Sequence, residues 1–100
     1  MIKHIVMWKM REEAEGANKK ANIEKMKSML EALEDKIEEI QAFEVGVNYN
    51  DSEAAYDLLL YSEFEDKDAL ARYQVHPDHV KVAEFVRKVA KDRAVVDYEL

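Results

Sequence analysis

The sequence predicts an α+β fold of ferredoxin-like type: a βαββαβ chain forming a four-stranded antiparallel sheet with its helices on one face. Three observations lead there. Four short segments are rich in β-branched and aromatic residues and carry apolar side chains at strand spacing. Other segments space their apolar residues three and four apart, the period of a helix. Turn and cap residues divide these pieces into the order strand, helix, strand, strand, helix, strand.

Ile2 to Met10 is an apolar, β-branched run and the first strand. Ile2, His4, Val6, Trp8 and Met10 share one face, and Lys3, Ile5, Met7 and Lys9 share the other. Arg11 to Asn18 is polar, contains Gly16 and reads as a loop. Ile23, Met26, Leu30, Leu33, Ile37 and Ile40 then mark one long helix, with Asn18 as its N-cap. Lysines near its start and glutamates near its end oppose the helix dipole, at roughly a few tenths of a kcal/mol each. Packing of the apolar stripe must hold this helix.

Phe43, Val45, Val47 and Tyr49 alternate with Glu44, Gly46, Asn48 and Asn50 in a second strand, closed by the turn residues Asn50-Asp51-Ser52. A third strand spans Tyr56 to Phe64. Asp66 caps a short helix carrying Ala69, Leu70 and Tyr73. Pro77 opens a second helical piece, since proline is tolerated in a first turn. Its packed face is expected to be Val80, Ala83, Val86 and Ala90, and a last strand follows over Ala94 to Tyr98. Leu58-Leu59-Leu60 and Val95-Val96 are apolar on consecutive residues, so both sheet faces ask for burial while the helices cover one. A large apolar patch is rarely left in water. The expected partner is a second copy, joined in a homodimer.

Residues 1–100 read as one domain, without repeats, low-complexity tracts or a linker. A net charge of −7 argues against nucleic acid, which is bound through clustered Lys and Arg. The gathering of Lys19, Lys20, Lys25 and Lys27 reads as a solvated helix face. No apolar run approaches the roughly 18 residues of a membrane span, and no signal-peptide pattern opens the chain. There is no cysteine, which excludes disulfides, thiolate metal sites and cysteine nucleophiles, and a cytoplasmic location is expected. Gly16 and Gly46 are the only glycines, so phosphate loops and dinucleotide fingerprints are absent and no cofactor is expected.

The stretch RYQVHPDHV, residues 72–80, concentrates the chemistry. His76 precedes the only proline, is held extended by it, and suits a helix cap. His79 lies one turn further on. In one reading it is a half-buried structural residue satisfied by a backbone carbonyl and water. In the other, the break before Pro77 aims Tyr73 and His79 into one cavity, where His4 joins them beside Val6 and Trp8. An imidazole and a phenol converging in an apolar cavity can serve as general base and oxyanion donor. His76, Asp78 and His79 lack a defined further metal ligand, and no metal is expected.

The segments IKHIVMWKM, FEVGVNYN, AYDLLLYSEF, YQVHPDHV and DRAVVDYEL together resemble the stress-responsive α/β-barrel family, also called the dimeric α+β barrel (Dabb) family. The resemblance covers the chain in order and implies a ferredoxin-like protomer whose sheets pair in a dimeric α+β barrel. The family includes plant polyketide cyclases of the olivetolic acid cyclase type. By that resemblance His79 is the catalytic base, Tyr73 assists it, and His4 lies in the pocket. The cyclases have aromatic walls on their first helix, whereas Ala17 to Ile40 contains no aromatic residue. The candidate site is therefore His79 and Tyr73 as the catalytic pair, with His4, Val6, Trp8 and His76 as ligand contacts. The leading expectation is binding of a small organic molecule near His79. A cyclase, aldol or lyase-type enzyme is the second, and a structural or stress-protective protein the third.

Overall fold

Strand periodicity sets the layers. The computed structural model describes all 100 residues. Strand β1 (Ile2–Met10) alternates buried and half-buried residues without a break, and so does β5 (Leu58–Phe64). Between them lie a small hairpin of β2 (Glu13–Ala14) and β3 (Ala17–Asn18), helix α1 (Lys19–Glu31) and strand β4 (Ala42–Val47). Helices α2 (Lys67–Val75) and α3 (Pro77–Val89) and strand β6 (Ala90–Glu99) complete the chain. The main sheet has the order β4-β5-β1-β6, with every neighbour antiparallel. This is the predicted ferredoxin-like architecture.

In the register, Val6 stands opposite Leu60 on one side and Val95 on the other, while Ile5 stands opposite Tyr61 and Val96. Leu58 and Leu60 therefore point into the core under the helices and Leu59 points away. The core joins Val6, Trp8, Leu58, Leu60 and Phe64 of the sheet to Met26, Leu30, Tyr73, Val82, Val86 and Val89 of the helices. The open face carries Ile5, Met7, Leu59, Tyr61, Val96 and Tyr98; Val96 is 57% exposed. On that face Lys3 Nζ donates to Glu63 at 2.7 Å and to the Tyr61 hydroxyl at 2.8 Å. The Lys3 hydrogen bond, with one from Tyr61, holds the Glu63 carboxyl below the usual range.

Several boundaries differ from the sequence expectation. Arg11 to Asn18 is not all loop: Glu15 (φ 52°) and Gly16 (φ 74°) form a turn that pairs Ala14 with Ala17. Positive φ at both central residues is the requirement of a tight type I′ hairpin. Helix α1 starts where predicted, with Asn18 Oδ1 accepting from the Ala21 amide at 2.9 Å, but ends at Glu31 instead of Ile40. Glu31, Glu34, Asp35, Glu38 and Glu39 crowd the negative end of the dipole and repel one another. Successive turns take over, and Leu33 and Ile37 stay buried because those turns keep nearly the helical spacing.

The other boundaries shift less. β4 stops at Val47 and β5 starts at Leu58, so the expected ends of both strands join the connection between them. The packed face of α3 is Val82, Val86 and Val89, with Val80 40% exposed. Ala90 is already extended and opens β6, so no loop separates α3 from the last strand. No helix is long and apolar enough to cross a membrane.

Candidate functional site

The break between α2 and α3 builds the site. Asp66 Oδ1 accepts from the Ala69 amide at 2.8 Å and starts α2, which ends at Val75. His76 is extended (φ −61°, ψ 134°), as a residue before proline must be. Its Nδ1 accepts from the Asp78 amide at 3.1 Å, so the imidazole replaces the side-chain oxygen of an ordinary N-cap. That bond requires a bare Nδ1, and a neutral His76 carries its proton on Nε2.

Across the break, Tyr73 from the last turn of α2 and His79 from the first turn of α3 meet in a tilted contact, ring centroids 4.5 Å apart and planes at 51°. His79 Nδ1 donates to the backbone carbonyl of Gln74 at 3.0 Å. A carbonyl only accepts, so the proton sits on Nδ1 and Nε2 presents a free lone pair. Partial burial lowers the pKa of His79, against the opposing effect of the Gln74 carbonyl, and favours the neutral ring. Tyr73 is fully buried against Phe64, with centroids at 4.8 Å. Burial raises its pKa, opposed by the Arg93 charge, so its hydroxyl keeps its proton.

His4 enters from β1, 3% exposed, with its ring edge-on to Tyr73 and Phe64. Its Nδ1 meets Asp97 Oδ1 at 2.5 Å, and Asp97 is its direct register partner on β6. The carboxylate holds the His4 proton on Nδ1 and leaves Nε2 for the interior.

These groups border a cavity of about 380 Å³ between the sheet and the α2–α3 arm. β1 contributes His4, Val6 and Trp8, α2 Tyr73, and α3 His79. Apolar walls come from Leu60, Val82 and Val86, and α1 adds Leu30, an aliphatic side chain in an aromatic-free helix. Trp8 Nε1 is buried without a hydrogen-bond partner in the protein. Of the six candidate residues, five line this cavity; His76 lies outside it, at the helix cap. His76 and His79 point their Nδ1 atoms at different backbone groups, and no three His, Asp or Glu side chains converge as a ligand set.

A larger concavity, about 570 Å³, lies on the open sheet face beside Met7, Leu59 and the Asn48–Tyr56 connection. No histidine reaches it. The smaller cavity holds the imidazoles of His4 and His79. Sequence reading missed four of its participants: Asp97, Gln74, Arg87 and Arg93. Asp97 could have been found by pairing the first and last strands antiparallel and seeking an acid opposite His4.

The comparisons agree with this fold. A family model described as the stress responsive A/B barrel domain matches residues 2–100. An uncharacterized Streptomyces coelicolor protein is 32% identical over 99% of both chains. A stress-response A/B barrel domain-containing protein of Arabidopsis thaliana is 31% identical over 98% of this chain, which spans 36% of that longer protein. A crystal structure from Bacteroides fragilis, described as a dimeric protein of unknown function with a ferredoxin-like fold, superposes with a TM-score of 0.85. It is 35% identical, with 99% of this chain and 95% of that one covered.

Proposed function

The chain belongs to the stress-responsive A/B barrel domain family, and from that premise we propose that it binds a small organic molecule in the cavity at His79, Tyr73 and His4. One observation carries the reading: two imidazoles and a protonated phenol meet at a single apolar cavity, each imidazole with its proton committed to a group outside it. A merely structural histidine has no need to border such a space with its Nε2 left without a protein partner. About 380 Å³ lies within the range of small-molecule sites. Trp8 lines the cavity as well, and its buried Nε1 has no partner in the protein.

The same groups suit proton abstraction next to a carbonyl, the second reading. Nε2 of His79 accepts the proton, the C–H electron pair moves into the carbonyl, and the Tyr73 hydroxyl donates to the resulting enolate oxygen. The depressed pKa of His79 keeps the base neutral at neutral pH. The protein acts as a homodimer through the open face of Ile5, Leu59, Tyr61 and Val96, a reading supported by the dimeric Bacteroides fragilis relative.

Trp8 is the only tryptophan and tests the cavity directly. Its emission shifts on titration with small aromatic ketones and acids, and His79→Ala weakens that response. A compound that calorimetry shows to bind at saturation while Trp8 emission stays constant refutes the assignment.

A further inference from the structure

Arg87 and Arg93 line the cavity and also a smaller concavity of about 190 Å³ beside it, so they stand at a mouth between the two. We propose that this mouth selects organic acids: an apolar body whose anionic head, carboxylate or phosphate, is held by Arg87 and Arg93 while its other end reaches His79 and Tyr73. This rests on the cavity being the ligand site.

Two independent walls each set an arginine position about as far along the backbone from a histidine position. Arg93 stands opposite Trp8, four residues along β1 from His4, about 13 Å at a strand's rise per residue. Arg87 lies eight residues along α3 from His79, about 12 Å at a helix's rise. The cavity thus has a cationic end and an imidazole–phenol end, with Val6, Leu60, Val82 and Val86 between them.

The charges there are free. Of the four arginines, only Arg72 has a carboxylate partner, Glu39 at 3.1 Å. Asp97, on the same face of β6 as Arg93, is engaged by His4. Asp92 borders the smaller concavity together with Lys91, but it forms no ion pair with either guanidinium. Two guanidinium groups without acids, in a chain of net charge −7, are not a general surface property. A guanidinium offers paired donors that match a carboxylate or phosphate, and an apolar cavity beside it favours the rest of such a molecule over a bare ion. The Arg93 charge is also felt at Tyr73 and His79, so an anion there is electrostatically linked to the reacting end.

The test compares 3-phenylpropanoate, 2-phenylethylphosphonate and the neutral 3-phenylpropanamide, with binding read by calorimetry and by the Trp8 indole resonance. At least one anion binds the wild type about tenfold more tightly than the amide, as for a charge-assisted pair. In the Arg87→Gln/Arg93→Gln double variant the ratio falls to about twofold or less. The ratio between the two anions identifies the head. Added salt weakens the anion but not the amide on the wild type, a measurement that needs no variant. Equal binding of amide and anions, with Trp8 perturbed, overturns the arginine assignment and leaves the cavity standing. A preference that survives in the double variant overturns it too. Binding that never perturbs Trp8 overturns both readings.

Discussion

His76 and His79 differ by one helical turn, and the proposed reading gives them different work, which paired alanine substitutions can separate. His76→Ala removes the acceptor for the Asp78 amide, an N-cap bond at 3.1 Å. Lost N-caps cost about 1 kcal/mol, and in a domain of this size that lowers Tm by roughly 4–8 °C. Asn or Asp at position 76 supplies another acceptor and restores most of the loss. His79→Ala removes a bond to the Gln74 carbonyl, which water can replace because the contact is exposed. The half-buried ring also loses its contact with Tyr73, but it borders a cavity and not the packed core, so the cost should stay below that of the lost cap. Thermal unfolding followed by circular dichroism at one fixed protein concentration gives both numbers, because Tm of an associating protein depends on concentration. Calorimetric titration of a cavity ligand should show binding kept in His76→Ala and weakened in His79→Ala. A larger stability loss from His79→Ala than from His76→Ala would falsify this division, as would loss of binding in His76→Ala alone.

Leu59→Asp sets a carboxylate in the apolar open face; light scattering at micromolar concentration should show a dimeric wild type and a dissociated or unfolded variant, since burying an unpaired charge costs several kcal/mol. A monomeric wild type at that concentration removes the homodimer reading. The His79 pKa lies below its ordinary 6.5, so the unfolded chain takes up that proton first as pH falls. Its contribution to stability is complete above about pH 6.5 and is lost as pH falls through the folded-state value, so the stability gap between wild type and His79→Gln should shrink toward acid. A gap that stays constant or widens toward acid rules out a depressed pKa. The carboxyls of Glu63 and Glu39, depressed by Lys3 and Arg72, lose their contributions below about 4.5, in the same direction for wild type and variant, and cancel in the difference.

Features that depend on local spacing were legible in the sequence. Alternation along β1, the caps at Asn18 and Asp66 and the start of α3 at Pro77 each follow from a few adjacent residues. The end of α1 was not, because the apolar stripe continues through Leu33 and Ile37 after the helix has stopped. Periodicity reports which residues are buried, and consecutive turns satisfy nearly the same spacing. The packed face of α3 was misread for a related reason. Val80, Val82, Val86 and Val89 contain two overlapping valine stripes, and only packing against the sheet selects the second.

The site divides along the same line. Tyr73 and His79 are six residues apart across a visible break, so their convergence could be argued from the chain alone. Asp97 is 93 residues from His4, and only the pairing of β1 with β6 makes them neighbours. That distance matters for function. The His4 tautomer depends on an edge strand whose residues are mostly exposed within one protomer, while His79 takes its tautomer from Gln74, five residues away. An edge strand is held less firmly than a central one, and an apolar one invites pairing or cover. Cover for the open face at Val96 and Tyr98 would steady β6, and with it the Asp97 carboxylate between them. The proposed dimer and the proposed role of His4 are then coupled through one strand, although the cavity and the open face lie on opposite sides of the sheet.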